Sequence, residues 1–151
     1  MTDIQWFKDY VAISELKAHY CRLLDGKDWT GYAQLMTEDF ELDVSEGTSM
    51  PLIRGRDAAV RQIQSSLLNA RTAHQVHSPE IHFNGSDEAQ AIWAMQDRVV
   101  WDAARAAQTG IASLTGYGHY HERYVRRDGE WKLAALRLTR LHIDMQRATM
   151  A

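Results

Sequence analysis

The chain has 151 residues, of which 45% are apolar and 25% are charged, and its formal net charge is −3. This length and composition are typical of one globular domain with a substantial core, so we expect a single domain over residues 1–151. The small negative charge argues against a nucleic-acid partner, and no apolar run is long enough to cross a membrane. The single cysteine permits no internal disulfide and the N-terminus does not resemble a signal peptide, so we expect a cytoplasmic location.

Helical periodicity dominates the first two-fifths of the chain. Apolar residues recur every three or four positions over residues 13–24, which predicts a first helix that ends near Asp25, with Gly26 as the residue that follows it. Asp28 predicts the N-cap of a short second helix, and Asp57 predicts the N-cap of a third helix.

Beyond Asn69 the hydrophobic period changes to two. Four long strands are predicted at residues 72–83, 89–102, 111–126 and 131–145. Asn84-Gly85 and Asp128-Gly129 favour tight hairpins between these strands, and a shorter strand is expected at residues 40–44. Helices followed by long strands indicate the α+β class, with a curved antiparallel sheet wrapped around the N-terminal helices and a pocket between the two.

Asp97 is the sharpest exception to this hydrophobic pattern. It shares a strand face with four apolar residues, which are Trp93, Met95, Val99 and Trp101. A buried carboxylate must be paired, protonated or in contact with a pocket. The pattern therefore suggests a functional carboxylate, and an ion pair with an arginine on a neighbouring strand is the structural alternative.

Three further residues are candidates for a site. Asp25 lies at the C-terminal end of the first helix, where the helix dipole disfavours a carboxylate. The structural alternative is that Arg22 and Lys27 offset this effect and that Asp25 is simply solvated. Tyr20, on the apolar face of the same helix, is either a core tyrosine or a pocket hydroxyl. His74 lies in a predicted strand and becomes a candidate base only if a carboxylate approaches it.

Metal and nucleotide chemistry receive little support from the sequence. His119 and His121 share one strand face, but no third ligand stands at a useful spacing, so no metal is expected. The sequence also has no G-x-S-x-G motif and no glycine-rich phosphate loop.

Four segments are distinctive in their order and spacing. They are residues 12–25 followed by Asp28-Trp29, residues 53–58, residues 72–74, and residues 118–124 followed by residues 127–133. Together they resemble the SnoaL-like group of the nuclear transport factor 2-like superfamily, and within it the scytalone dehydratase-like branch. The resemblance implies a cone-shaped α+β barrel that holds its ligand inside the cone.

The resemblance also implies a function. It suggests a cofactor-independent lyase-type enzyme, a dehydratase or another elimination catalyst, that acts on a small hydrophobic substrate such as a polycyclic or aromatic compound. It assigns His74 as the general base and Asp25 as the residue that orients it. Tyr20 and Asp97 match assisting residues of related dehydratases. Further substrate contacts are expected from Trp29, Trp93, Met95 and Tyr120.

Two other functional classes stay open at this level. One is an isomerase or polyketide cyclase of the same fold, and the other is a non-catalytic binding protein for a hydrophobic small molecule. An arginine that related enzymes carry on a late strand falls near Leu136, one place from Arg137, so the sequence does not decide whether Arg137 reaches the pocket. Self-association as a dimer or trimer is expected, because outward-facing Ile92, Ala94 and Val100 need cover.

Overall fold

In the computed structural model, which describes residues 2–149, helices pack against a curved six-stranded sheet. The helices are α1 (Asp3–Asp25), α2 (Trp29–Gln34), α3 (Arg56–Ser66) and α4 (Ala103–Thr109). The strands are β1 (Met36–Asp43), β2 (Ile53–Arg54), β3 (Ala70–Phe83), β4 (Glu88–Trp101), β5 (Ile111–Arg127) and β6 (Glu130–Arg147). Over these residues the strand order is β2-β1-β6-β5-β4-β3, so the sheet is open and β2 and β3 are its edges. The α+β class and the curved sheet around N-terminal helices are confirmed.

The four long strands pair in sequence order and antiparallel, as their period of two predicts. The turn between β5 and β6 consists of Asp128-Gly129, with φ angles of 51° and 83°. Two positive φ angles are the requirement of a two-residue type I′ hairpin. The Asn84-Gly85 turn is longer than predicted, because residues 84–87 connect β3 to β4.

One pairing differs from the predicted antiparallel sheet. β1 lies parallel to β6, with Leu42 opposite Leu136 and Asp43 opposite Arg137. Parallel neighbours need a long crossover connection, and here α3 and the other long strands separate β1 from β6 along the chain. Tight turns determine the direction of consecutive strands only, so no turn signal in the sequence determines the direction of β1.

Two helices end in left-handed residues. α1 ends at Asp25 as predicted, but Gly26 has a φ of −76° and it is Lys27 that adopts a left-handed φ of 59°. The short helix α4 was not predicted. Asp102 caps its N-terminus and Gly110, with a φ of 75°, ends it.

The N-termini of α2 and α3 differ in how well the sequence predicted them. Asp28 caps α2 as expected, since its Oδ1 accepts a hydrogen bond of 2.9 Å from the amide of Gly31. In α3 the N-cap is Gly55 rather than Asp57, which lies in the first turn. A carboxylate in the first turn still interacts favourably with the helix dipole, so the expected electrostatic benefit is retained without a side-chain cap.

An apolar core fills the space between the helices and the sheet. Five of its fully buried side chains are Ile13, Phe40, Leu42, Leu133 and Leu136. Each such side chain contributes roughly 1.5–3 kcal/mol relative to exposure to water. Across residues 2–149, no helix combines the length and apolarity needed to span a membrane.

This core also contains an ion pair. Lys17 Nζ lies 2.5 Å from Glu122 Oε1, and neither side chain has exposed surface. The second carboxylate oxygen of Glu122 accepts a hydrogen bond from the hydroxyl of Tyr124. The ammonium group also lies 3.8 Å from the ring centroids of both Tyr20 and Tyr120. One carboxylate and two aromatic faces therefore offset the cost of burying this cation.

We expect Glu122→Gln to lower the free energy of unfolding by about 3–5 kcal/mol, because it leaves the Lys17 charge buried without a counter-charge. Urea denaturation monitored by tryptophan fluorescence measures this change. Glu41→Gln is the matched control. It breaks an exposed pair with Arg54, in which the side chains are 40% and 72% exposed, and we expect it to cost about 1 kcal/mol or less. Equal losses in the two variants would contradict the assignment of Lys17 as a buried cation.

Candidate active site

The last residue of α1 meets the edge of the sheet. Asp25 Oδ1 lies 2.7 Å from Nδ1 of His74, and Asp25 Oδ2 accepts a 2.8 Å hydrogen bond from the backbone amide of the same histidine. The Thr72 hydroxyl donates to Asp25 Oδ1 over 2.8 Å. β3 is an edge strand, and edge strands carry backbone donors that no neighbouring strand satisfies. The carboxylate supplies the missing acceptor, which brings Asp25 and His74 together although 49 residues separate them in the chain.

The electrostatics of Asp25 follow from these contacts. Burial alone raises the pKa of its carboxyl, but the hydrogen bonds from His74 and Thr72 outweigh burial and hold the pKa below its usual range. A carboxylate that stays ionised accepts hydrogen bonds only, so the proton in the short contact belongs to Nδ1 of His74. The second ring nitrogen, Nε2, is then the basic one.

A cavity of about 250 Å³ lies beside this pair, and its wall is mostly apolar. His74, Tyr20 and Tyr120 contribute to its lining, together with Asp97 and Arg140. The His74 side chain is only 7% exposed, whereas that of Asp25 is 25% exposed and does not line the cavity. The arrangement therefore presents the imidazole to the cavity and keeps the carboxylate behind it.

Asp97 is held by an arginine that the sequence did not single out. Arg140 on β6 contacts it with both terminal nitrogens, at 2.7 Å to Oδ1 and 2.9 Å to Oδ2. The two side chains meet across β5 above Gly116, where an added Cβ would lie 2.2 Å from the guanidinium and 2.3 Å from the carboxylate. Only glycine leaves room for the pair at this position.

This contact makes Asp97 the partner of a largely buried cation. Both of its carboxylate oxygens accept hydrogen bonds from the guanidinium, and bidentate contacts of this kind are strong because they are assisted by charge. Burial by itself lowers the pKa of Arg140, but the hydrogen bonds and charge of Asp97 outweigh burial and raise it. The structural alternative considered for Asp97, an arginine ion pair, is the one that the fold contains.

Two tyrosines form the inner wall of the cavity. Tyr20 and Tyr120 are both nearly fully buried, and their rings lie 6.1 Å apart in an edge-on arrangement. Burial raises the pKa of each phenol well above its ordinary value. Both hydroxyls therefore remain protonated at neutral pH and are available as hydrogen-bond donors.

Three of the four predicted substrate contacts lie away from this cavity. Trp29, at the start of α2, is partly buried and packs edge-on against Tyr32, with ring centroids 6.2 Å apart. Trp93 is buried in the core, and Met95 lies behind Arg140, its sulfur 3.8 Å from a guanidinium nitrogen. The structure does not place these three side chains in the wall of the cavity. For Trp93 and Met95 the reason is that alternation along a strand indicates which face a residue occupies but not how deep it lies. Tyr120 is the predicted contact that does line the cavity.

Arg137 also lies outside the cavity. Its side chain is 60% exposed and approaches Asp43, at 3.8 Å, on the outer face of the sheet. The residue that does reach the inside is Arg140, and the sequence carried a signal for it. Leu136, Leu138 and Arg140 alternate along β6 and all three line the cavity.

The outer face of the sheet offers no comparable chemistry. A depression of about 470 Å³ lies there, lined by polar and charged side chains such as those of His121 and Arg123, and it is remote from Asp25. His121 Nε2 contacts the Thr139 hydroxyl at 3.0 Å. Among residues 2–149, no three histidine, cysteine or acidic side chains converge as metal ligands would.

The fold and this cavity define a class of α+β proteins in which a curved sheet surrounds a small-molecule pocket. A model of the SnoaL-like domain matches residues 6–137, and the chain belongs to that family. The resemblance noted in the sequence is thereby confirmed.

The individual relatives have low sequence identity to this chain. The protein named Probable cyclase FGR4, from Gibberella zeae, is 25% identical over 138 residues, which cover 86% of this chain and 89% of that protein. The structure of hexachlorocyclohexane dehydrochlorinase LinA type 2 superposes with a TM-score of 0.81 at 18% identity, over 96% of this chain and 93% of that one. A Novosphingobium aromaticivorans structure named for scytalone dehydratase gives 0.82 at 20% identity, over 99% and 95% of the two chains. At these identities the two structures show a common fold.

We expect Gly116→Ala to separate Asp97 from Arg140, because the new methyl group would occupy the space of their contact. The predicted loss in free energy of unfolding is about 1–3 kcal/mol, measured by urea denaturation. In an Arg140→Ala background the same methyl group has more room and should cost less. An identical cost in both backgrounds would show that Gly116 does not serve the ion pair.

Proposed function

We propose that the protein is an enzyme that uses the Asp25–His74 pair to remove a proton from carbon, and that it catalyses an elimination of the dehydratase type on a small hydrophobic substrate. The observation that carries the proposal is the 2.7 Å contact between Asp25 Oδ1 and His74 Nδ1, next to an apolar cavity that His74 lines. A histidine oriented by a carboxylate and open to a cavity is the usual arrangement of a general base.

The base acts through Nε2 of His74. The ionised Asp25 holds the other nitrogen as a donor, so the lone pair on Nε2 is directed away from Asp25. When Nε2 takes the proton, the imidazolium gains favourable charge interaction with Asp25, which lowers the barrier to proton transfer. General-base catalysis of this kind contributes typically about 10²–10⁴-fold to a rate.

The negative charge that develops on the substrate needs donors. If the acidic C–H lies next to a carbonyl group, charge accumulates on the carbonyl oxygen. The hydroxyls of Tyr20 and Tyr120 and the guanidinium of Arg140 are the donors in the wall of the cavity. Donors that are already oriented in a site shielded from water stabilise such an oxyanion strongly.

Elimination then follows with no added reagent. The electrons of the broken C–H bond form the new C=C bond, and the leaving group on the adjacent carbon departs with its own electron pair. For a hydroxyl leaving group, the proton that His74 took returns to the departing oxygen, which leaves as water. The base is regenerated, and the proposed reaction needs no cofactor.

Cyclisation is the second candidate, and one observation favours it. The Gibberella zeae relative, the nearest in identity of those described above, bears the name of a cyclase. A cyclase of the aldol type begins with the same proton removal, after which the carbanion attacks a second carbonyl of the same substrate. The two candidates differ in whether the carbanion expels a group or forms a carbon–carbon bond.

The cavity limits the size of the substrate in either case. A volume of about 250 Å³ is below the usual range for pockets that hold drug-sized ligands, roughly 300–1,000 Å³. We therefore expect a substrate of one or two rings rather than a larger polycyclic compound.

We expect turnover from a panel of one- and two-ring β-hydroxyketones, some of which carry a second carbonyl group. Mass spectrometry reads the loss of water and, in D₂O, the uptake of deuterium at carbon. His74→Ala should lower the rate by about 10²-fold or more because the base is removed. Asp25→Asn should also be severe, since an amide can hold the wrong tautomer of His74. His77→Ala is the matched control, because His77 lies on the same strand but is exposed.

The outcomes separate the functional classes. Loss of water identifies an elimination, whereas a ring-closed product of unchanged mass identifies a cyclase. Deuterium at carbon in recovered substrate reports the proton removal that both reactions share. A His74→Ala variant as active as His77→Ala would contradict the assignment of His74 as the base. Saturable binding of the same ketones without deuterium uptake would indicate the non-catalytic binding protein instead.

We also propose that the chain self-associates as a dimer or trimer through the outer face of the sheet. Ile92 and Ala94 are only partly buried there, and partly covered apolar residues on a sheet face favour an interface. Light scattering should give a mass of two or three chains, and Ile92→Glu should reduce it to one. Gln5→Glu, which adds the same charge to an exposed position of α1, should leave the mass unchanged. A monomeric wild-type protein would contradict the proposal.

A further inference from the structure

A chain of hydrogen bonds leads into Asp25 through Thr72, whose hydroxyl shares the carboxylate oxygen Oδ1 with His74 Nδ1. It starts at Lys27, the residue with a left-handed φ of 59° that follows the end of α1. Lys27 Nζ lies 2.7 Å from the hydroxyl oxygen of Thr72, and that oxygen lies 2.8 Å from Asp25 Oδ1. A left-handed conformation is unfavourable for a residue with a Cβ, so its presence next to a candidate site calls for a reason.

The direction of every bond in this chain is fixed by the groups that form it. An ammonium group only donates, so the Thr72 oxygen accepts from Lys27. A carboxylate only accepts, so the single hydroxyl proton of Thr72 must point to Asp25. The same argument places a proton on His74 Nδ1. Lys27, Thr72 and His74 therefore all direct donors toward one carboxylate, directly or through a neighbour.

We propose that Lys27 and Thr72 are positioning residues for the candidate base: the Lys27 ammonium fixes the hydroxyl of Thr72 as a donor, and that hydroxyl fixes the ionised carboxylate of Asp25 against His74 Nδ1. The inference rests on the proposed function for its catalytic meaning, but its structural content does not need a substrate. Neither side chain lines the cavity, so both act through Asp25.

A simpler role exists for Lys27. Its Nζ also lies 3.3 Å from the carbonyl oxygen of Leu24 in the last turn of α1, which accepts a 3.2 Å hydrogen bond from the backbone amide of Lys27 as well. If that contact were its only role, Lys27 would cap the C-terminal end of α1 and have no effect on Asp25. The shorter distance is the one to Thr72, which favours the positioning role.

Other charged and titratable groups surround the pair and must be kept constant in a test. Tyr20 and Cys21 approach from α1, Asp97 lies opposite His74 on β4, and Arg140 reaches in from β6. None of them forms a hydrogen bond to Asp25 among the described residues, which leaves His74 and Thr72 as its donors.

The test uses NMR on the full-length protein without any ligand. Two quantities are followed: the titration of the Asp25 carboxyl carbon, and the rate at which the His74 Nδ1 proton exchanges with water. Thr72→Val keeps the shape of the side chain and removes its hydroxyl, whereas Thr72→Ser keeps the hydroxyl. Lys27→Met keeps the length and the Cβ, and therefore the backbone strain, but removes the donor and the charge.

Thr72→Val and Lys27→Met should each raise the pKa of Asp25, because the carboxylate loses a donor in one variant and a nearby positive charge in the other. Each should speed exchange of the His74 Nδ1 proton by about tenfold, the order expected from loss of a charge-assisted hydrogen bond. Thr72→Ser should match the wild type. In the exchange rate of the His74 proton, the double variant should change no more than Thr72→Val does, since both residues position Asp25 through one hydroxyl. The lost charge of Lys27 should still add to the rise in the pKa of Asp25, because it acts on the carboxylate directly.

Lys27→Gln and Arg22→Met separate the explanations. Glutamine can still donate to Thr72, so Lys27→Gln should keep the slow exchange of the His74 proton. Arg22→Met removes an equal charge from an exposed position in the last turn of α1 and should change neither quantity. If Lys27→Met behaves like Arg22→Met, the positioning role is wrong and Lys27 only closes the helix. If Thr72→Val does not fold, the two Lys27 variants still decide the question.

Failure of the proposed reaction gives a different result. An intact response of Asp25 and His74 to these variants, combined with no turnover of any ketone, would reject the enzyme and retain the hydrogen-bond chain. Turnover that persists in Lys27→Met with unchanged exchange of the His74 proton would reject the chain and retain the enzyme.

Discussion

The carboxylate of Asp25 joins the end of a helix to the edge of a sheet, and the cavity lies where these two elements meet. It accepts from both the backbone and the side chain of His74, so the same group satisfies an unpaired strand donor and orients an imidazole. A neutral side chain at this position would leave the strand donor without its charged acceptor and allow the ring to turn. Because the carboxylate also sits at the unfavourable end of the helix dipole, its position is stable only through the donors that surround it.

Much of the fold was readable from local sequence patterns. The change of period near Asn69 located the strands β3 to β6, and Asp128-Gly129 located their last turn, because tight turns and alternation depend only on neighbouring residues. Asp25 and His74 were found differently. Asp25 violates a rule of helix electrostatics, and the family resemblance supplied the histidine that compensates. The parallel direction of β1 had no local signal, since β2 to β5 and two helices separate it from its neighbour β6 along the chain.

The residues that the sequence did not reveal are those whose partners are distant in the chain. Lys17 and Glu122 are 105 residues apart, and neither alone indicates that both are buried. Arg140 was marked by its alternation with Leu138, but an arginine near the end of a strand is ordinarily exposed, so the signal was weak without Asp97 as its partner. The glycine at position 116 carried a related signal, because glycine inside a long strand often marks a close approach of other groups.

The position of Asp97 makes its pairing with Arg140 important for the candidate base. Asp97 lies directly opposite His74 in the register of β3 and β4, and opposite residues of antiparallel strands have Cβ atoms about 4.5–5.5 Å apart. A second carboxylate without a counter-charge at that distance would compete with Asp25 for the imidazole of His74. The guanidinium of Arg140 pairs with Asp97 instead, which leaves Asp25 as the carboxylate that contacts the ring. In the reaction that we propose, the Asp97–Arg140 pair thus serves the site as well as the fold, because it leaves the remaining donors of Arg140 beside the space where an oxyanion would form.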